Sequence, residues 1–228
     1  MTRAADRPAR IAVVDYGAGN LVSIEQGLRA AGAAVTLART PDDLEDVEAV
    51  VVPGVGAAAP AMRRLDRRGF VPVLRGWIEA GRPYLGICLG LQLLFESSEE
   101  DGAAMLGVIP GVVRRLDAAP TLPHIGWNQV RLARPHVLFD GIEDGSDLYF
   151  VHSYAGVPEG SAAEAAVLAT TDHGGRFVSA VAAGSVLGVQ FHPERSGVDG
   201  LRILANFATF ATGASMRPVG TAGPASPG

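Results

Sequence analysis

Pro83-Tyr84-Leu85-Gly86-Ile87-Cys88-Leu89-Gly90-Leu91-Gln92 reads as a short apolar strand that turns straight into a helix, with the only cysteine of the chain at the turn. A sharp strand-to-helix turn lifts a side chain above the edge of a sheet, and glycine on either side tolerates the crowding that results. The helix that follows points its free N–H groups at the sulfur, which favours thiolate over thiol. A lone cysteine can equally be a small buried hydrophobe. The flanking glycines and the strand-to-helix context favour a nucleophile at Cys88.

Upstream of this turn, strand and helix patterns alternate. Ile11 to Val14 is an apolar run that ends at Asp15 and the turn Tyr16-Gly17-Ala18-Gly19-Asn20. Leu21, Ile24, Leu28 and Ala31 then recur at helical spacing, with Asn20 as N-cap and Gly32 as stop. Ala34 to Ala38 and Ala49 to Val52 read as strands, and Ala58 to Asp66 and Val71 to Ala80 as helices. Pro83 to Ile87 is the strand that delivers Cys88, and a helix is expected over Leu89 to Glu96. This rhythm predicts a parallel sheet flanked by helices.

Downstream the rhythm changes. Val108 to Leu116, Asn128 to Leu132, Leu148 to His152, Ala165 to Thr170, Phe177 to Ala182 and Val186 to Gln190 read as short strands joined by Gly, Pro and Asp turns. A last helix is expected over Val198 to Ala211. The fold class is therefore α/β: a single domain over residues 10–212, with an open, mostly parallel central sheet and an additional antiparallel β region. Residues 1–9 are expected to be a flexible lead. The Gly/Pro/Ser/Ala-rich residues 213–228 are expected to be a disordered tail.

Composition bounds the function. The 228 residues suffice for one large domain with a full core. A net charge of -5 gives no electrostatic case for a nucleic-acid partner. All 19 basic residues are Arg, which excludes a Schiff-base lysine or a Walker-type phosphate loop. One cysteine makes no internal disulfide, and no stretch approaches the roughly 18 apolar residues that span a bilayer. The expectation is a cytoplasmic protein with no membrane partner. The five histidines are scattered and form no metal-ligand pattern, so neither a metal nor a cofactor is expected.

Gln190-Phe191-His192-Pro193-Glu194 supplies what a cysteine nucleophile needs. His192 follows an apolar strand and so lies at its carboxyl end, the edge where open parallel sheets place their sites. Residues two apart on an extended chain face the same way, so Glu194 can hold one imidazole nitrogen while the other faces Cys88. In the rival reading Glu194 pairs only with Arg195, which leaves His192 without an orienting group. Pro53-Gly54-Val55-Gly56 ends another apolar strand. It is either an ordinary turn or, with the Leu89 N–H, an oxyanion hole for a tetrahedral intermediate. Gln92, one helical turn beyond Cys88, is either a substrate contact or a capping glutamine. Cysteine, histidine and acid in this order point to acyl transfer on a small substrate.

Gly86-Ile87-Cys88-Leu89-Gly90-Leu91-Gln92 together with Phe191-His192-Pro193-Glu194 resembles the class I (triad) glutamine amidotransferases. Within that group the chain is most similar to the glutaminase subunits of imidazole glycerol phosphate synthase. That finer likeness rests on Asp15 to Asn20, Pro53 to Gly56, Pro123-His124-Ile125-Gly126-Trp127-Asn128 and Tyr149-Phe150-Val151-His152-Ser153-Tyr154. The likeness extends from about Ile11 to Phe210. It implies that Cys88 attacks the side-chain amide of L-glutamine, that His192 relays the proton and that Glu194 orients His192. It further implies an oxyanion turn at Val55 and Gly56 with Leu89, and places Gly54 beside them among the substrate-binding residues. Glutamine would be held by Gln92, Glu100, Ser153 and Tyr154. The ammonia released would pass to a partner cyclase with a (β/α)8 barrel. The chain departs from the family pattern at Ala57-Ala58-Ala59-Pro60 and at Ala155, where bulkier residues are usual.

Overall fold

The computed structural model describes residues 7–213. Its centre is an eight-stranded sheet of order β2-β1-β3-β4-β13-β12-β11-β8. The strands are β1 (Arg10–Val14), β2 (Ala34–Ala38), β3 (Ala49–Gly54), β4 (Tyr84–Cys88), β8 (Arg131–Leu132), β11 (Val167–Asp172), β12 (Arg176–Ala183) and β13 (Val186–Val189). The run from β2 to β13 is parallel; from β13 to β8 the pairing is antiparallel. The parallel half with its antiparallel extension is the architecture that the change of rhythm predicted.

Two cores lie on the two faces of this sheet. On one face, α1 (Leu21–Ala30) and α6 (Gly197–Ala211) bring Ile24 and Leu28 against Ile203, Leu204 and Phe207. On the other, α2 (Ala58–Arg67) and α3 (Phe70–Glu79) bury Leu65, Phe70, Leu74 and Trp77 with Val50, Val52, Tyr84 and Leu91. Near-continuous burial of β1, β3 and β4 follows from being covered on both sides. The helix ends are fixed locally. Asn20 accepts from the Ser23 N–H at 3.4 Å, and the Asp101 carboxylate accepts from the Ala59 N–H at 2.6 Å at the start of α2. No helix among the described residues is long and apolar enough to cross a membrane.

Four features depart from the sequence reading. The helix after Cys88, α4, spans only Leu89–Gln92, and the chain then enters β5 (Phe95–Ser98) instead of staying helical to Glu96. Leu91, Leu93, Leu94 and Phe95 are all fully buried, and an apolar run without a polar face does not distinguish helix from strand. β5 pairs with β6 (Ile109–Arg115), which pairs with β10 (Tyr154–Pro158) in a separate three-stranded sheet. Neither β10 nor the short α5 (Ser161–Ala165) is announced by periodicity. The strand expected over Asn128 to Leu132 is two strands in different sheets. β7 (His124–Gln129) pairs with β9 (Asp147–His152), and β8 joins the central sheet beyond the buried Val130. Of the expected flexible lead and disordered tail, residues 1–6 and 214–228 lie outside the described residues. Ala9 is buried, and Arg7 pairs with Glu48.

Candidate active site

Sheet order brings the carboxyl ends of three neighbouring strands together. β3 ends at Gly54, β4 at Cys88, and β13 runs on through Gln190 and Phe191 to His192. Gly54 and Cys88 are register partners. Cys88 is the only non-glycine with positive φ among the described residues, at +54°. With ψ at −108° it lies outside the left-handed helical well, and a backbone in so sparsely populated a region costs of order 1–3 kcal/mol, so the tertiary structure holds the cysteine there. The glycines around it are sterically required. A Cβ on Gly86 would lie 2.3 Å from the Gly90 carbonyl oxygen, and one on Gly90 would lie 1.8 Å from that of Val52. Because α4 is a single turn, its macrodipole is small, and the free N–H groups at its start remain the local electrostatic contribution.

His192 is buried, and its Nδ1 lies 2.8 Å from Glu194 Oε1. The reach is made by a turn and not by strand alternation: Pro193–Arg195 is a 3-10 turn that folds the carboxylate back under the ring. Arg195 instead lies over the Tyr149 ring at 4.1 Å. The outer Glu194 oxygen and His192 Nε2 are buried with no hydrogen-bond partner among the described residues. An orphaned buried ring nitrogen beside a thiol is poised for proton transfer. Burial opposes charge on this ring, yet Cys88 and Glu194 outweigh it and raise the His192 pKa to about 10.

Cys88 opens into a cavity of about 300 Å³, room for a ligand of amino-acid size. Its walls hold Val55, Gly56, Leu89, Gln92, Glu100, Ser153 and Tyr154. These were singled out from sequence and come from four separate stretches of chain. Gly54 lies beneath them inside β3, against the buried Tyr16 hydroxyl, which has no hydrogen-bond partner among the described residues. Glu100 sits on the rim, where burial and then Asp101 raise its pKa. The Gln92 amide nitrogen is committed to protein, to the Tyr154 carbonyl at 2.8 Å and to Gln190 Oε1 at 3.1 Å.

Ala57, from the segment where the chain departs from the family pattern, also lines the cavity; residues that the sequence reading did not place here are Pro123, Val151, His152 and Gln190. Gln190 donates to Cys88 Sγ at 3.5 Å, and the thiol faces the Val151 carbonyl at 3.8 Å. One signal could have pointed to Gln190: a fully buried polar residue at the end of an apolar strand, two positions before His192.

Residues 12–210 match the family model described as Glutamine amidotransferase class-I. The chain belongs to this family. As a class-I glutamine amidotransferase it is 47% identical over 214 residues to the Moorella thermoacetica protein named Imidazole glycerol phosphate synthase subunit HisH, covering 93% of this chain and 98% of that one. It is 43% identical over 212 residues to the Arabidopsis thaliana protein named Imidazole glycerol phosphate synthase hisHF, chloroplastic. That match spans 92% of this chain and 36% of the plant protein. Among solved structures, PurLQS from Thermotoga maritima shares the amidotransferase fold with a TM-score of 0.70 at 19% identity, over 89% of this chain and 99% of that one.

Proposed function

We propose that this chain is the glutaminase subunit of an imidazole glycerol phosphate synthase, releasing ammonia from L-glutamine for a separate cyclase. The observation that carries this reading is the arrangement at Cys88. His192 is held through Nδ1 by Glu194, its free Nε2 is on the side of the thiol, and Cys88 opens into a cavity of amino-acid size. Likeness to the named synthase subunits supports the choice of pathway.

In this mechanism the thiol proton passes to Nε2, whose raised pKa favours holding it, and the Sγ thiolate attacks the glutamine side-chain carbonyl carbon. The tetrahedral oxyanion is received by backbone N–H groups of Leu89 and of the Gly54-Val55-Gly56 turn. His192 returns the proton to the departing ammonia, which leaves a glutamyl thioester. Water, deprotonated by the same imidazole, cleaves the thioester to glutamate and restores the thiol. Gln92, Glu100, Ser153 and Tyr154 line the side of the cavity that would hold the amino-acid end. The chemistry needs a reduced thiol, which favours a cytoplasmic setting.

The partner is a (β/α)8-barrel cyclase, which consumes the ammonia to make imidazole glycerol phosphate and the aminoimidazole carboxamide ribotide. If the Gly54-Val55-Gly56 turn must rotate before it donates, the liganded cyclase shifts that population and accelerates the glutaminase. The test is glutamate release by the purified chain with and without the cyclase and its ribonucleotide ligand. Strong stimulation is expected; equal turnover in both conditions rules the coupling out. Cys88→Ser is expected to abolish glutamine-dependent synthesis and to leave synthesis from added ammonia intact. Loss of both would show damage to the assembly instead.

A further inference from the structure

Cys88 Sγ has a protein hydrogen-bond donor, and it is not the histidine. Gln190 is fully buried, and its Nε2 lies 3.5 Å from the sulfur. Which end of a side-chain amide faces a neighbour is fixed by the network around it, and here the network leaves one solution. The Tyr154 carbonyl can only accept, so the Gln92 atom at 2.8 Å from it must be the nitrogen. That nitrogen lies 3.1 Å from the Gln190 amide and spends its second hydrogen there, so the atom it meets must be the Gln190 oxygen. The Gln190 nitrogen therefore faces the sulfur.

The same carbonyl fixes the network in the other direction. His152 Nδ1, 2.9 Å from the Tyr154 oxygen, must carry a hydrogen, so its Nε2 is an acceptor. His124 Nδ1, 3.3 Å away, then donates to it, and His124 Nε2 accepts from the Asn128 amide at 3.2 Å. Asn128 gives its other hydrogen to the Asp172 carbonyl at 2.8 Å, and its oxygen accepts from the Gln129 N–H at 2.8 Å. Every link from β7 to the sulfur thus has one direction.

We propose that Gln190 is a catalytic residue: its amide N–H, aimed by Gln92 and the Tyr154 carbonyl, holds Cys88 Sγ in the attacking position and stabilises the charge the sulfur carries. A hydrogen bond to a charged acceptor is worth more than one to a neutral one, so this contact strengthens when the thiol gives its proton to His192 and again when the thioester breaks. Gln190 contributes to the transition state more than to substrate binding, because it lies beneath the cavity and not in its wall. It leaves His192 free to move the proton, since the sulfur does not depend on the imidazole alone for its position.

This inference rests on Cys88 being the glutaminase nucleophile, and the experiment separates the two claims. Glutamine hydrolysis is measured in the complex with the liganded cyclase, for the natural chain and for Gln190→Met, which keeps the length and removes the donor. A fall in kcat of about tenfold or more, with KM within about twofold, is expected from the loss of a hydrogen bond to a charged group. Unchanged kcat, or a rise in KM alone, overturns the proposal and leaves Gln190 as support for the Gln92 wall. If Gln190→Met does not fold, Gln190→Asn withdraws the amide by one methylene and is expected to give the same kcat loss. Failure of a glutamine-analogue electrophile to label Cys88 in the natural chain would instead remove the glutaminase reading itself.

Discussion

At the scale of single residues, the site ties down one nitrogen of its imidazole and leaves the other without a partner. His192 Nε2 has no partner among the described residues, whereas Nδ1 is tied to Glu194 at 2.8 Å. The carboxylate fixes the tautomer because it can only accept. Glu194→Gln can turn an N–H toward Nδ1 and select the opposite tautomer. Glutamine hydrolysis in the cyclase complex is expected to fall about a thousandfold or more, with the substrate KM little changed. A variant within about tenfold of the natural rate would mean that the turn, and not the carboxylate, orients the ring. The triad candidates were legible in sequence because each carries a local mark: glycines around the cysteine, and a proline-bounded acid after the histidine. Gln190 lacked such a mark, since its partners lie 98 and 102 positions away.

At the scale of elements, the turn from β4 into α4 depends on atoms that are absent. The missing Cβ atoms of Gly86 and Gly90 let α4 lie directly on β3 and β4. Gly90→Ala must push the helix off the Val52 carbonyl, and a loss of about 3 kcal/mol is expected. Gly76 is the contrast. It is exposed in the middle of α3, with nothing within 4 Å of an added Cβ. Gly76→Ala is expected to stabilise by roughly 0.5–1 kcal/mol through helix propensity. Urea unfolding of both variants checks the pair; equal responses would mean that close packing at the turn is not what demands glycine. Elements with strong periodicity, such as α1 and α6, were readable from sequence. β5 and β10 were not, because short buried runs carry no period and are made strands by the neighbour they pair with.

At the scale of the whole molecule, two properties belong to no single element. The first is acid sensitivity. Burial, followed by the proximity of His173, lowers the His124 pKa to about 4. Burial chiefly lowers that of His152 to about 3, although the Tyr154 carbonyl opposes the shift. Both are neutral in the folded chain, and their mutual hydrogen bond requires it. The unfolded chain takes up these protons near the ordinary histidine value of 6.5, so stability is complete above that pH and falls as pH drops toward 4. Denaturant midpoints at pH 7 and pH 5 should show the decline; equal midpoints would contradict it. His192 has the opposite sign, its raised pKa contributing stability that is lost as pH climbs from 6.5 toward 10.

The second is an apolar patch. Ile125, Trp127 and Val198 are 61%, 57% and 82% exposed, and Trp127 reaches across to Gly197, beside Val198. If the cyclase is the partner, the large exposed apolar groups gathered from β7 and the start of α6 are expected to form the face that docks it. Trp127→Ala is expected to weaken binding to the cyclase tenfold or more by titration calorimetry and to leave the melting temperature nearly unchanged. Unaltered affinity would place the interface elsewhere.

By itself the sequence determined the alternation that makes a parallel sheet with an antiparallel extension, the tight turn at Cys88, and the nearness in the chain of His192 and Glu194. Those are consequences of local sterics and short-range periodicity, which a chain displays before it folds. Only the tertiary structure decided that β13 lies beside β4, that α4 stops after one turn, and that Gln92 spends its amide on Tyr154 and Gln190. Such pairings join residues far apart in the chain, and which buried donor meets which acceptor is settled only when the sheet order is complete.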